Sequence, residues 1–202
     1  MPGRLEAVTG CMFSGKTEEL LRRVERARIA RKRVLVLKPE LDTRYAAEEV
    51  VTHYGRSLPC HRLPTAVCPR RFQELVTDHG LRITDVFAFD EAHFFGPEFP
   101  ALCESLVARG KRVIVAGLDL NFRGEPFGPM PELLALADEV VKLTAVCAAC
   151  GAPATRSQRL VAGLPVTDGP EILIGGLASG TNSDATVSYE PRCRDHFVPP
   201  RR

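Results

Sequence analysis

Short apolar runs separated by longer amphipathic stretches dominate the first two thirds of the chain. Four of these runs have the length and the mostly apolar character of strands: Leu5–Thr9, Val34–Leu37, Val86–Phe89 and Val113–Ala116. Between the first two, Glu18–Arg31 carries apolar residues at positions 20, 21, 24 and 27, which is the spacing of one helix face. Because short apolar strands that alternate with helices are typical of a mostly parallel sheet covered on both faces, the pattern predicts an α/β fold.

Two further helices are predicted at Pro69–His79 and Pro97–Arg109. The pattern changes near residue 145, because glycine, proline and short polar segments then replace runs of helical length. We therefore predict an α/β domain over residues 1–144 and a small lobe over residues 145–202. Within this lobe, Ala178–Asp184 is predicted to be a flexible loop and Val198–Arg202 a disordered tail.

Composition narrows the class of protein. Hydrophobic residues make up 45% of the chain and charged residues 26%, which suits a folded domain with a normal core. The formal charge of +2, from 27 basic and 25 acidic side chains, is too balanced for a protein whose main partner is a nucleic acid. Five arginines of the first helix are interspersed with glutamates, so we interpret them as a solvated face: Arg22, Arg23, Arg26, Arg28 and Arg31.

The lack of a recognisable leader or membrane span, together with the cysteine content, predicts the cellular compartment. Residues 1–9 show no secretory leader, and no run approaches the ~20 apolar residues of a membrane span. The seven cysteines of such a chain point to a reducing environment, where paired cysteines bind metal more often than they form disulfides. We expect a cytoplasmic protein with no membrane partner.

The turn after the first predicted strand carries a complete phosphate-binding motif, G-x-x-x-x-G-K-[ST]. Its glycines let successive N–H groups face one anion, and the following helix adds the positive end of its dipole. Lys16 would reach the β- and γ-phosphates of a nucleoside triphosphate, and the Thr17 hydroxyl would bind Mg²⁺. The residues predicted to bind ATP are Gly10, Cys11, Met12, Phe13, Ser14, Gly15, Lys16 and Thr17.

Two carboxylates follow the third predicted strand. Asp90 and Glu91 come directly after Val86–Phe89, and the carboxyl end of a neighbouring strand is where a phosphate-loop protein holds the partner of its Mg²⁺. Asp90 would contact Mg²⁺ directly or through water. Glu91 would then be free to deprotonate the attacking nucleophile, a role worth roughly 10²–10⁴ in rate.

Two pairs of soft ligands in the small lobe predict a metal site. Cys147 and Cys150, like Cys193 and His196, are separated by two residues, which is the C-x₂-C and C-x₂-H spacing of structural zinc sites. Because four protein ligands leave no open position, the zinc would be structural. The other cysteines have no partner at ligand spacing and are interpreted as small apolar residues: Cys11, Cys60, Cys68 and Cys103.

Six ordered segments together resemble the zinc-containing (type II) class of thymidine kinases, over nearly the whole chain. They are the phosphate loop, Asp42-Thr43-Arg44-Tyr45, Phe89–Phe95, Val115–Asp119 with Pro126–Gly128, Leu143–Cys147 and Tyr189–Arg194.

The resemblance implies transfer of the γ-phosphate of ATP to the 5′-hydroxyl of thymidine in nucleotide salvage, on a RecA-like P-loop core with Mg²⁺ and a structural zinc. It also implies a homotetramer and inhibition by the end product dTTP. By position in the motifs, Glu91 would be the general base, Asp42 would support Mg²⁺ and Arg44 the phosphates. Ala92 and His93 belong to the same ATP and Mg²⁺ segment.

In the family, the thymine lies under a lasso loop closed by zinc and is held largely by backbone groups. The corresponding part of this chain is residues 151–192, which we call the lasso. Ile172–Gly175 would be the strand that meets the base edge, and Arg159 belongs to the segment of Ser157. The resemblance implies a nucleoside pocket formed by Met12, Phe94, Leu118, Phe122, Ser157, Ile172, Ile174, Gly175 and Tyr189.

The chain departs from the family pattern at three places. His93 replaces the usual glutamine, and Ser157 replaces a usual threonine. The segment between Gly176 and Tyr189 is several residues longer than usual, and Val187 stands where a glutamate is usual.

Two other functions fit part of the sequence. The same carboxylates would serve a P-loop ATPase with a zinc-ribbon adaptor lobe, in which Glu91 activates water. A nucleic-acid adaptor would need clustered basic and aromatic side chains, whereas the arginines of residues 147–196 are offset by acids. The D-T-R-Y segment and a base-sized lid favour the kinase. Removal of zinc is expected to open the nucleoside pocket and to spare the phosphate loop.

Overall fold

The computed structural model describes residues 2–41, 49–51, 57–76, 78–166, 168–172 and 187–199. The strands are β1 (Arg4–Gly10), β2 (Val34–Pro39), β3 (Glu49–Val51), β4 (Ser57–Pro59), β5 (His61–Leu63), β6 (Val86–Phe89), β7 (Arg112–Gly117), β8 (Glu139–Leu143), β9 (Ala145–Val146), β10 (Pro153–Ala154), β11 (Arg156–Val161), β12 (Leu164–Pro165) and β13 (Val187–Arg192). The helices are α1 (Lys16–Ile29), α2 (Pro69–Leu75), α3 (Asp78–Ile83), α4 (Phe99–Ala108) and α5 (Met130–Leu136), with a 3₁₀ turn at Ala92–Phe94.

Six strands form one sheet in the order β5-β2-β6-β7-β1-β8. Every neighbouring pair is parallel, so the predicted α/β fold with a mostly parallel sheet is confirmed. The expectation that the acidic strand neighbours the phosphate-loop strand is wrong, because β7 lies between β1 and β6. The carboxyl ends of all three strands still meet at one edge of the sheet, where an open α/β sheet binds its ligands.

Alternate residues of the central strands pack on opposite faces of the sheet. In β6, Phe87 and Phe89 join a core that includes residues of α2 to α5, whereas Val86 and Ala88 join a core formed with α1. Because both faces are covered, the strand is apolar at every position, as the sequence pattern indicated.

One predicted helix needs correction, and two elements were missed. The predicted helix Pro69–His79 ends at Leu75, because Val76 has an extended backbone, and a second helix begins at Asp78. The edge strand β8 and helix α5 were not predicted. The residues of β8 are at best half-buried, so its hydrophobic pattern is weak.

In the described residues, no helix is long and apolar enough to cross a bilayer.

Arg23 does not belong to a solvated helix face. Its guanidinium is buried and donates to Glu6 Oε2 at 2.5 Å and to Glu19 Oε1 at 2.8 Å. Burial raises the pKa of Glu6, but its bonds to Arg112 and Arg23 outweigh burial and hold that pKa below its usual value. Glu6 lies on β1, so a contact between strand and helix overrides the charge pattern within the helix. Arg22 remains exposed and pairs with Glu19, as expected.

The small lobe consists of short antiparallel pairings. β9 pairs with β10, and β11 lies between β12 and β13 in a three-stranded sheet. The described residues from 145 onward contain no helix, in agreement with the sequence. The predicted loop Ala178–Asp184 and the last residues of the predicted tail lie outside the described residues.

Candidate functional site

The phosphate loop joins β1 to α1 through a chain of positive φ angles. Gly10 has φ 144°, Phe13 has φ 64° and Gly15 has φ 84°. A Cβ atom at Gly10 would lie 2.4 Å from the carbonyl oxygen of Leu143, so glycine is required there. The Lys16 ammonium donates to the Cys11 carbonyl at 2.8 Å and therefore lies over the loop. Burial lowers the pKa of Lys16, although Glu91 and Asp90 oppose this shift.

Asp90 is buried beside the start of α1. The Thr17 hydroxyl donates to its Oδ2 at 3.2 Å, and the Glu91 backbone N–H donates to its Oδ1 at 3.0 Å. Burial and the nearby Glu91 charge raise the pKa of Asp90 to about 7. A hydroxyl and a buried carboxylate in contact are oxygen ligands of the kind that Mg²⁺ prefers, so the pair fits the predicted magnesium site.

Glu91 projects from a left-handed backbone. Its φ of 50° and ψ of 40° are uncommon for a residue with a side chain, and such strain is concentrated at functional sites. The Glu91 carboxylate is 18% exposed, and its Oε2 lies 3.4 Å from Nε2 of His93. Ala92 is completely buried in the core that includes α4 residues, whereas His93 faces a cavity beside the phosphate loop.

This cavity, of about 100 Å³, brings together most of the nucleoside-pocket residues that the sequence suggested. Those that line it are Met12, Phe94, Leu118, Phe122, Ser157, Ile172 and Tyr189. Ile174 and Gly175 lie outside the described residues, as do Asp42 and Arg44.

Other residues line the cavity without having been assigned to it from the sequence: Leu120, Asn121, Phe127, Arg159 and Glu171. Asn121 connects two sides of the cavity, because its amide donates to Glu171 Oε1 at 2.8 Å while its carbonyl accepts the Arg123 N–H. Leu120 and Asn121 lie between the two halves of the motif at Val115–Asp119 and Pro126–Gly128, and that proximity was the available signal.

Ser157 links the cavity to the phosphate loop. Its buried hydroxyl accepts the Met12 backbone N–H at 2.9 Å. A hydroxyl that accepts one bond retains a proton to donate, so Ser157 can offer a hydrogen bond to a ligand in the cavity. One polar side chain of the small lobe thus touches the phosphate loop and lines the cavity beside it.

Arg159 is buried at the side of the cavity. Its guanidinium donates to the Tyr189 hydroxyl at 2.9 Å and to the carbonyls of Pro170 and Glu171 at 2.6 and 2.8 Å. The same group lies 3.5 Å from the centroid of the Phe122 ring, a close cation–π contact. One planar donor therefore joins β11, β13, the 170–171 segment and the loop after β7.

The four predicted zinc ligands converge. The potential ligand atoms of Cys147, Cys150, Cys193 and His196 lie within 4.8 Å of one another. The sulfur atoms of Cys150 and Cys193 are 3.7 Å apart, and Cys193 Sγ is 3.2 Å from His196 Nδ1. A disulfide would need about 2.05 Å between sulfurs. Bonds of about 2.3 Å from one tetrahedral ion to two sulfurs separate those sulfurs by about 3.8 Å, so the donor set fits zinc.

A family model described as thymidine kinase matches residues 3–197. The match spans the phosphate loop, Asp90 and Glu91, and all four ligands of the candidate zinc site. It agrees with the resemblance seen in the ordered motifs of the sequence.

Proposed function

The chain belongs to the thymidine kinase family, and we propose that it transfers the γ-phosphate of ATP to the 5′-hydroxyl of thymidine, giving dTMP for nucleotide salvage. The observation that carries this proposal is the position of Met12. Met12 belongs to the phosphate loop and also lines the cavity that contains Phe94, Ser157 and Tyr189. A donor site and an acceptor site would therefore share a wall, as a direct transfer between two bound substrates requires.

On the donor side, the loop N–H groups and the N-terminus of α1 would hold the phosphates of ATP. The Lys16 ammonium would give up its hydrogen bond to the Cys11 carbonyl and bind the β- and γ-phosphates instead. Thr17 and Asp90 would hold Mg²⁺, which neutralises the charge on the transferred phosphate when it is bound. Asp42 and Arg44 would complete this side, supporting Mg²⁺ and the phosphates.

On the acceptor side, Glu91 would be the general base. The 5′-oxygen of thymidine attacks the γ-phosphorus, the bond from that phosphorus to the bridging oxygen of ADP breaks, and the hydroxyl proton passes to Glu91. Glu91 suits this role because it is partly exposed beside the cavity, whereas Asp90 is buried against Thr17.

Base recognition would come mainly from the wall of the cavity that the lasso forms. The Ser157 hydroxyl and the backbone of Ile172, Ile174 and Gly175 would read the polar edge of thymine, while Phe94, Leu118, Phe122 and Tyr189 would enclose the ring. Polar groups left unpaired by a wrong base reject it by about 10⁴, whereas an apolar slot for one methyl discriminates only about 10–200-fold.

The deciding experiment tests a panel of nucleosides as acceptors, with release of ADP and the labelled nucleotide product as readouts. Thymidine should give the highest kcat/KM, deoxyuridine a value about 10–200-fold lower, and deoxycytidine no measurable product. A rate of ADP release that is the same with and without nucleoside would reject the kinase and favour a P-loop ATPase with a zinc-ribbon adaptor lobe.

The donor would be ATP with Mg²⁺, dTTP would inhibit as a feedback product, and the active form would be a homotetramer in the cytoplasm. The boundary between the P-loop domain and the zinc lobe would lie near residue 144. Sedimentation of the purified protein tests the tetramer, and initial rates at rising dTTP test the inhibition.

A further inference from the structure

His93 is held in one position by its surroundings. Its side chain is 1% exposed, and its ring centroid lies 4.1 Å from that of Phe94 and 4.7 Å from that of Phe127. Its backbone is equally constrained, because a Cβ atom at Gly128 would lie 2.2 Å from the His93 carbonyl oxygen. Neither the ring nor the turn that carries it has room to rearrange without moving its neighbours.

The hydrogen bonds of His93 determine which ring nitrogen carries the proton. The Leu118 backbone N–H lies 3.1 Å from Nδ1 of His93. Because a backbone N–H can only donate, Nδ1 is the acceptor and the ring proton lies on Nε2. That nitrogen is the one that faces Glu91, at 3.4 Å from Oε2.

We propose that His93 is a positioning residue for the catalytic base, a role that rests on the proposed function. In the structure as it stands, the 3.4 Å separation between Nε2 and Oε2 of Glu91 is not a formed hydrogen bond. Catalytic hydrogen bonds are often long before substrate binds and tighten in the reacting complex. In that complex the Nε2–H group donates to Oε2 of Glu91 and holds the carboxylate toward the proton of the 5′-hydroxyl. The Leu118 N–H thus acts on the base through the imidazole ring.

In this tautomer the ring offers one acceptor and one donor at opposite ends, without a net charge. A neutral donor orients the carboxylate and stabilises its ionised form, yet it does not form a salt bridge that would weaken Glu91 as a base. A glutamine side chain offers the same two functions, with its carbonyl toward Leu118 and its amide toward Glu91. Phenylalanine preserves a planar ring and offers neither.

The test is a double-mutant cycle with Glu91. The variants are His93→Phe, His93→Gln, Glu91→Gln and the double variant Glu91→Gln with His93→Phe. Transfer of ³²P from labelled ATP to thymidine gives kcat and KM for each, and thermal unfolding checks that each is folded. His93→Leu serves as a second variant without polar groups in case the phenylalanine ring does not fit.

We expect His93→Phe to lower kcat about 10–100-fold, because it removes a hydrogen bond to a charged group. The KM for thymidine should change by less than about threefold. His93→Gln should recover most of that kcat. In the Glu91→Gln background the same His93→Phe change should cost less than about twofold, because the group on which it acts is gone.

An equal loss in both backgrounds, or a His93→Gln variant as slow as His93→Phe, would overturn the positioning role while leaving the kinase intact. Absence of thymidine-dependent transfer by the wild-type protein would reject the proposed function and this inference together.

Discussion

Asp90 and Glu91 are adjacent in sequence but lie in different environments. Asp90 is buried against the Thr17 hydroxyl, and burial and the Glu91 charge raise its pKa to about 7. Glu91 is partly exposed on a left-handed backbone and faces His93. At the scale of single residues, burial and backbone conformation thus place two identical functional groups in different environments, which suit the two roles proposed for them.

The proposed base can be removed without disturbing the phosphate loop. Glu91→Gln should lower kcat about 10²–10⁴-fold, because the amide cannot accept the hydroxyl proton. The Kd for ATP, measured by calorimetry, should stay unchanged. Glu104→Gln makes the same chemical change on the exposed face of α4 and should have no effect on kcat. Full activity of the Glu91 variant would show that another group takes the proton.

The raised pKa of Asp90 predicts a pH dependence of stability in the nucleotide-free protein. In the unfolded chain the carboxyl is ionised from about pH 5 upward, whereas in the folded protein it ionises only through about pH 7. The raised pKa therefore contributes stability that is fully present below the unfolded pKa and is lost as pH rises through about 7.

Denaturant unfolding of wild type and Asp90→Asn at pH 6 and pH 8 tests this. The wild type should lose about 1 kcal/mol relative to the variant across this range. Asp168→Asn, at an exposed position, should follow the wild type. Parallel pH profiles of wild type and Asp90→Asn would show that Asp90 is already ionised at pH 6.

At the scale of elements, the described part of the lasso is organised around Arg159 of β11. Its three hydrogen bonds reach β13 and the 170–171 segment, and its guanidinium packs on Phe122. The described residues show no acidic side chain in an ion pair with Arg159. Its partners are instead two carbonyls, a phenol and an aromatic ring, which a planar guanidinium satisfies at once.

Replacement of Arg159 by lysine keeps the charge and removes the fork of donors. An ammonium cannot reach Tyr189, Pro170 and Glu171 together, so the wall of the proposed nucleoside cavity should loosen. The KM for thymidine should rise at least about tenfold, as expected when hydrogen bonds from a charged group are lost, with little change in the Kd for ATP. Arg156→Lys on the same strand is the matched control, because the Arg156 guanidinium donates to the carbonyl and hydroxyl of its neighbour Thr155, not to another strand. Equal KM values for both variants would refute the clamp.

At the scale of the whole molecule, the small lobe and the phosphate loop are in direct contact. Cys11 lies within the loop, and its Sγ donates to the Ala154 carbonyl at 3.3 Å. It also packs in one cluster with Cys147 and Cys193 of the metal site, while Ser157 accepts the N–H of the next residue, Met12. Cys11 is therefore a structural contact between the lobes, and burial raises the pKa of its thiol.

These contacts change the expectation that removal of zinc spares the phosphate loop. With a chelator selective for zinc over magnesium, thymidine binding should be lost, and the Kd for ATP should rise about 2–10-fold, since one or two buried hydrogen bonds to the loop are broken. Calorimetry with each ligand measures both effects, and added zinc should reverse them. An unchanged affinity for ATP after thymidine binding is lost would mean that the two lobes act independently.

Local patterns predicted the features whose physical cause is local. The phosphate loop, the C-x₂-C and C-x₂-H pairs and strand β6 were all identified from residue spacing, because a turn, a chelate pair or a buried strand is specified by its own few residues. The misjudged features depend on distant partners. Arg23 was assigned to solvent because the charge pattern of a helix does not reveal Glu6 on a strand. Edge strand β8 lacks a strong pattern because its side chains are at best half-buried.

The amino-acid order alone determined the fold class and the family, since these follow from periodicity and from short motifs in a set order. Tertiary structure decided how those parts work together: the position of β7 between β1 and β6, the tautomer of His93, the clamp formed by Arg159 and the contact of Ser157 with Met12. Each of these joins groups far apart in the chain, and only packing brings such groups within the few ångströms over which hydrogen bonds act.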